Sequence, residues 1–467
     1  MLEGLEITEL NLSEVRRENL KLRLDSGYFA KPMLEAEALI RKLPSGYDEL
    51  GPLFSRFVKG VFDINAESYC DSGVPFLRIL NLRKGVIDDS NLALIPEGVH
   101  KNEIKTELRR GDIVFSKTAY PAVSLVTLDR CNTSQDTIAT SLSEYGKSNY
   151  TPETIVAYLN SAIGQRLLWR QYQGNVQLHL SLDDGRKVPI PKLGAELQSA
   201  ITQAFTKSQS ARNASEQSRE NAEQTLVRAL GLGNWQSQEP LSYVRNSLDA
   251  FTTGRLDAEY FAPRVSELLK RLGRDNLCIA DLAPPRRQRF KPARDGQFDY
   301  IEIGGLRTDG TAEAEQILQS EAPSRATQIV ASGDVITSTV RPVRRLSALI
   351  APEQNGFVCS SGFVVLQPEK IAPEVLLTYL RLKPVCELMD LHTSASLYPA
   401  ISEQDLLALP VPRIDQNTQK TVSAAVQAAQ QSRQRATQLL DAAKRAVEIA
   451  IEDSEAAGLA YLEANNP

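Results

Sequence analysis

Positive charge is the chemistry this sequence concentrates. Arg286, Arg287, Arg289, Lys291 and Arg294 fall within nine residues, and Arg341, Arg344 and Arg345 follow the run Gly333-Asp334-Val335-Ile336. A second such run, Gly111-Asp112-Ile113-Val114, is followed by Lys117, and the same part of the chain carries Arg78, Arg83, Lys84, Lys101, Lys105, Arg109 and Arg110. Ammonium and guanidinium groups bind phosphate oxygens, and the guanidinium fork also pairs with planar acceptors. The net charge of −5 excludes generic binding to polyanions, so any such contact must be local. The candidate contact residues are Lys117, Arg286, Arg287, Arg289, Lys291, Arg341, Arg344 and Arg345. A solvated face explains any single cluster equally well, and Phe290 and Tyr120 beside them suit either a core or a contact surface.

Catalytic constellations are missing from the sequence. It has no Walker A phosphate loop, no Rossmann glycine fingerprint, no H-E-x-x-H zinc helix and no G-x-S-x-G elbow. The acidic pairs Asp88-Asp89 and Asp183-Asp184 sit in turn-like contexts that suit solvation or capping. Five cysteines without a C-x-x-C pair read as ordinary buried thiols, and three scattered histidines make no ligand set. No metal, cofactor or catalytic residue is expected in this chain. An acidic start without an apolar stretch and the lack of any membrane-length apolar run predict a cytoplasmic protein.

The elements that position the charges come in duplicate. Arg23-Leu24-Asp25-Ser26-Gly27-Tyr28-Phe29 reappears as Arg255-Leu256-Asp257-Ala258-Glu259-Tyr260-Phe261, an offset of 232 (255 minus 23). The two Gly-Asp runs follow at 222 (333 minus 111), and Thr151-Pro152-Glu153 before Tyr158-Leu159 matches Ala372-Pro373-Glu374 before Tyr379-Leu380 at 221 (372 minus 151). Val188-Pro189-Ile190-Pro191 matches Leu409-Pro410-Val411-Pro412 at the same offset. One module used twice accounts for the order, with its divergent part between the Tyr-Phe landmark and the Gly-Asp run. The predicted elements are a first strand over residues 1–22, echoed at Ser242-Tyr243-Val244-Arg245, then strands at Phe76–Leu80, Ile113–Phe115, Tyr300–Ile303, Val335–Thr337 and Phe363–Leu366. Helices follow over Pro152–Tyr172 and after Pro373.

After each Pro-X-Pro comes a stretch of about 35 residues without Gly or Pro, long enough for a helix of roughly 50 Å. Val422, Val426, Ala429, Arg433, Ala436, Leu440, Ala443 and Val447 recur at spacings of four and three, and Ile201, Phe205, Ser208, Arg212, Ser215, Arg219, Ala222 and Leu226 precede them by 221 (422 minus 201). So polar a seam cannot hold a long helix alone. Two such helices packed antiparallel can, and they are expected to leave apolar faces for partner helices. Separate surface helices are the plainer reading.

Together these landmarks resemble the DNA sequence-specificity subunit of type I restriction-modification systems, over almost the whole chain. The resemblance implies an α+β protein with two similar target recognition domains, 1–193 and 232–412. Long antiparallel coiled-coil helices would separate them, at 194–231 and 413–452, in a pseudo-twofold internal repeat with a C-terminal tail at 453–467. It implies a non-catalytic subunit that recognises a bipartite, asymmetric site on double-stranded DNA and directs methyltransferase and restriction subunits there. S-adenosylmethionine, ATP and Mg would belong to those partners, which methylate adenine in host defence. One departure is local: the family's glycine-rich segment fits Gly174-Asn175-Val176-Gln177, whereas the second copy has Ser394-Ala395-Ser396-Leu397. Two alternatives stay open at this point, a coiled-coil scaffold that reads no DNA and the specificity subunit of a type IIB-like fused methyltransferase-nuclease.

Overall fold

The computed structural model describes residues 7–16, 23–61, 64, 66–174, 177–233, 240–394 and 399–465. The chain divides into two compact units, residues 1–212 with 434–467 and residues 213–433.

In the first unit the Gly-Asp strand Ile113–Ser116 lies inside a five-stranded sheet. It pairs antiparallel with Val123–Leu125 on one side and Thr137–Leu142 on the other, and Phe54–Lys59 adds beyond Thr137–Leu142. Gly111 opens the strand at φ 88, a left-handed backbone that glycine adopts without the Cβ clash. Asp112 then accepts the Arg109 backbone N–H at 2.9 Å and pairs with Arg56 at 3.3 Å. Behind the sheet, Tyr158 on the helix Pro152–Asn160 is fully buried and donates its hydroxyl to Pro189 O at 2.6 Å, joining the Tyr-Leu helix to the Pro-X-Pro strand.

The second unit uses the same devices. Val335–Ser338 is the middle of a three-stranded sheet between Ser347–Leu349 and Phe363–Leu366. Gly333 has φ 85, and Asp334 accepts the Ala331 N–H at 2.8 Å. Tyr379 on the helix Pro373–Leu380 donates to Pro410 O. The Tyr-Phe landmarks also act alike. Arg23 pairs with Asp25, stacks 4.5 Å from the Tyr28 ring centroid and donates to Arg170 O. Arg255 pairs with Asp257, stacks 4.3 Å from Tyr260 and donates to Leu391 O.

Each long helix contributes to the core of both units. In the first, Leu197, Ile201 and Phe205 of Ala195–Ala229 share one apolar cluster with Tyr158, Leu440, Ala443 and Val447. Ser208 donates to Ala436 O at 2.8 Å, and Gly194 N–H to Glu455 at 2.8 Å, so the paired segments run antiparallel. In the second, Ala222 and Leu226 cluster with Val422 and Val426 of Gln416–Glu452, and Ser215 donates to Ala429 O at 2.7 Å. The polar seam positions therefore make contacts: serines reach across to backbone carbonyls, while Arg212 reaches Ile87 O at 3.3 Å and Arg219 reaches Thr308 O at 2.9 Å. Gly231, at φ 71, ends the first long helix, and Leu232 N–H closes back on Val227 O.

Several sequence expectations are corrected. Leu12–Arg16 is a short helix rather than part of a strand, because Glu14 reaches back to accept the Asn11 N–H at 2.7 Å and so nucleates a turn. Residues 1–6 and 17–22 of that expected strand lie outside the described residues. Tyr243 and Val244 belong to no element. The helix predicted over Pro152–Tyr172 breaks at Ser161, whose hydroxyl caps a second helix, Ala162–Gln171, by accepting the Gly164 N–H at 3.1 Å. Strands end at Leu77 and Ile301, since Ile79–Asn81 and Ile303–Gly305 turn as 3-10 helices. Residues 453–467 include the helix Glu455–Asn465, anchored by the buried Leu462. The expected apolar helix faces are not there. Among the described residues, the exposed large apolar side chains fall off both long helices, with Leu12, Leu24, Val244, Leu248, Phe251 and Leu256 prominent.

Candidate nucleic-acid interface

In each unit, basic residues flank one end of a strand that pairs antiparallel with the Gly-Asp strand. In the first unit that strand is Thr137–Leu142. Lys59 pairs with Ile138 from one side, and Lys117 donates its backbone N–H to Asp136 O at 2.7 Å from the other. Burial holds the Lys117 amine below the ordinary lysine range, and the charge of Lys59 adds to this while Asp136 opposes it. Two ammonium groups so placed repel each other and are relieved by anions bound beside them. Lys59 escaped the sequence reading because only strand pairing brings it beside Lys117.

In the second unit the corresponding strand is Phe363–Leu366. Thr339 N–H donates to Gly362 O at 3.0 Å on the side of the Gly-Asp strand. On the other side Arg286 N–H donates to Val365 O at 2.8 Å, and Arg289 bridges Gln328, whose side chain donates to Phe363 O at 2.9 Å. The segment through Arg289 is thus extended, and strand alternation places Arg287, Arg289 and Lys291 on one face, all exposed. Phe290, on the opposite face, packs 4.7 Å from the Phe298 ring and belongs to the apolar cluster around Tyr300. Tyr120 stays exposed.

The candidates separate by their partners. Arg286 makes a two-pronged pair with buried Asp334 at 2.5 and 2.9 Å, which raises its pKa, chiefly through that hydrogen bond. Arg345 pairs with Glu223 of the first long helix at 2.6 Å and donates to Arg381 O. These two guanidinium groups fasten the fold. Arg287 makes a surface pair with Glu403 at 2.6 Å and remains 62% exposed, a contact that a phosphate can replace. Arg344 is exposed, and Arg341 is half-buried in the turn after Val335–Ser338. The hairpins beside these turns include the glycine-rich match, of which Asn175, Val176, Ala395, Ser396 and Leu397 lie outside the described residues.

Elsewhere the titratable groups serve the fold. Asp88 pairs with Arg83 at 3.0 Å, and Asp184 accepts the Ser181 hydroxyl at 2.5 Å in the first turn of its helix. His100 and Glu107 form a buried contact at 2.9 Å, extended by Asn132 and Arg109, a network the sequence did not reveal. Cys131, Cys359 and Cys386 are buried, with burial pushing each thiol up to about 12, whereas Cys70 and Cys278 are half-exposed. Among the described residues no group of His, Cys, Asp or Glu is placed to hold a metal, and no helix is long and apolar enough to cross a membrane.

No family model and no curated protein matches the chain. Solved structures do. The S subunit of a type I restriction-modification system from M. genitalium aligns at 12% identity and a TM-score of 0.38, over 89% of this chain and 95% of that one. A structure described as the basis of complex assembly and conformational transition of the type I R-M system aligns at 16% identity and 0.28, over 91% and 98%. The HsdS subunit from Thermoanaerobacter tengcongensis aligns at 16% identity and a TM-score of 0.26, over 91% of this chain and 97% of that one.

Proposed function

We propose that this chain is the DNA specificity subunit of a type I restriction-modification system. The observation that carries the reading is the convergence of basic residues on the same strand end in each unit, on like frames with unlike side chains. Lys59 and Lys117 stand there in the first unit, Arg287, Arg289, Lys291, Arg341 and Arg344 in the second. Phosphate contacts from such groups set register, and contacts to base edges select sequence. Unlike readers imply unlike half-sites, so the recognised site is bipartite and asymmetric. That the units are copies of one module is supported by their shared Gly-Asp turn and Tyr-to-Pro hydrogen bond.

The long helices act as the spacer in this reading, supported by the antiparallel serine contacts within each unit. One heptad advances roughly 10.5 Å, so a heptad added to both helices lengthens the unread gap by about three base pairs, at roughly 3.4 Å each. Catalysis falls to the partners: methyltransferase subunits with S-adenosylmethionine, acting on adenine, and restriction subunits with ATP and Mg, all in the cytoplasm. The test is the salt dependence of binding to a duplex bearing the site. Each phosphate contact contributes about −0.9 to the slope of log affinity against log salt, so Lys59→Ala with Lys117→Ala should flatten it by nearly two. Affinity insensitive to salt would favour the protein scaffold instead.

A further inference from the structure

The turn after the Gly-Asp strand is held alike in both units, in a conformation that ordinary residues avoid. In the first unit Leu180 N–H donates to Lys117 O at 2.8 Å, Thr118 bridges His179, and Ala119 N–H donates to Leu178 O at 3.1 Å. In the second, Ile401 N–H donates to Thr339 O at 3.0 Å, Val340 bridges Ala400, and Arg341 N–H donates to Pro399 O at 2.9 Å. Each turn therefore adds as an extra strand to a short hairpin, Tyr172–Gln173 with His179–Leu180 or Thr393–Ser394 with Ala400–Ile401. The residue that ends this pairing is left-handed in both, with φ 65 at Ala119 and φ 51 at Arg341. Only four non-glycine residues among those described have positive φ, and two of them occupy this matched place.

A left-handed backbone crowds Cβ against a carbonyl, which glycine avoids. Backbone conformation alone favours glycine at both positions. Each unit instead keeps a side chain on a backbone fixed from two directions, and the side chain differs, a methyl in one and a guanidinium in the other. Strain held by its surroundings marks functional positions. A common frame with an exchangeable side chain is what reading two different sequences requires.

We infer that Ala119 and Arg341 are base-reading positions of the two units, a role that rests on the DNA-reading function proposed above. Arg341 reads a guanine through its O6 and N7 acceptors, and Ala119 packs its methyl on the C5-methyl of a thymine, the contacts these side chains make in the major groove. Phosphate contact falls to the exposed basic residues around them.

The experiment selects preferred duplexes from a library randomised at both half-sites, using the full-length chain and three variants, and measures their melting temperatures. Arg341→Gly removes side chain and strain together, and Arg341→Ala removes the side chain alone. Both should relax preference for guanine at one position of one half-site by roughly 5- to 150-fold, leaving the other half-site and the salt slope unchanged. Arg341→Gly should melt no lower than Arg341→Ala, because both lack the guanidinium and only glycine relieves the left-handed backbone. Ala119→Arg should change preference in the other half-site only. Unaltered preferences would overturn the inference, as would a uniform loss for all sequences with the salt slope reduced by about 0.9, the mark of a phosphate contact. A parent chain with no sequence preference would sink the DNA-reading function itself, a failure distinct from variants that leave a real preference intact.

Discussion

Asp334→Ala separates a charge that builds the fold from charges that face outward. The Asp334 side chain is 3% exposed and accepts three hydrogen bonds, two from Arg286 at 2.5 and 2.9 Å and one from the Ala331 backbone N–H at 2.8 Å. Removing the carboxylate leaves Arg286, one-fifth exposed, and that N–H without their acceptor. Breaking a buried pair by deleting one partner costs about 3–5 kcal/mol, and the partial exposure of Arg286 points to the lower end, about 3 kcal/mol. With a urea sensitivity of about 2–3 kcal/mol per molar, the unfolding midpoint of the second unit should fall by about 1–1.5 M. Arg287→Ala deletes only a surface pair and should cost less than about 1 kcal/mol, while flattening the salt slope of DNA binding by about 0.9. Far-UV circular dichroism in urea and binding titrations across salt measure both. The reasoning is refuted if Asp334→Ala unfolds within about 0.3 M of the parent, or if Arg286→Ala leaves stability intact and flattens the salt slope.

Three further outcomes follow from the geometry. Burial pushes the Glu107 carboxyl up, but hydrogen bonds from Arg109 and then His100 outweigh it, so the folded pKa lies below the ordinary value. Glu107 therefore stabilises the fold above the unfolded glutamate pKa of about 4, and that contribution disappears as pH falls through the depressed value. Glu107→Gln should lower the melting temperature at neutral pH and show a shallower acid loss in a pH series of thermal scans, and equal slopes would contradict this. Tyr158→Phe strands the buried Pro189 carbonyl and Tyr379→Phe the half-buried Pro410 carbonyl, and each should cost about 1–2 kcal/mol in denaturant unfolding; a change under a few tenths in either would count against the shared Tyr-to-Pro device. Ser208→Ala and Ser215→Ala remove separate contacts between helix segments, so each should cost about 1 kcal/mol and the double variant should be additive. Strong non-additivity would contradict independent contacts.

Landmarks that depend on a few neighbouring residues were legible in the sequence. Gly111 and Gly333 signal their turns because few other residues take a positive φ, and Asp112 and Asp334 close those turns locally. The heptad spacing likewise located both long helices, since periodicity is written along one segment. Contacts distant in sequence were not legible. Arg286 and Arg345 look like free positive charge until folding brings Asp334 and Glu223 to them, whereas Lys59 becomes interesting only when its strand pairs beside Lys117. The polar seam looked like weak helix packing, because nothing in the heptad pattern says that Arg212 and Arg219 leave it for carbonyls of the folded units. At Ser161 the hydroxyl that caps the second helix sits between apolar residues on both sides, so periodicity does not mark the break.

The claim that this chain chooses where DNA is modified is tested most directly by base-resolved methylation mapping. Host DNA is compared with and without the chain, in cells that retain its native methyltransferase. Loss of one split, asymmetric N6-methyladenine motif upon deletion, and its return with the restored chain, is the predicted result. Methylation unchanged by deletion, with the methyltransferase demonstrably active, would contradict it.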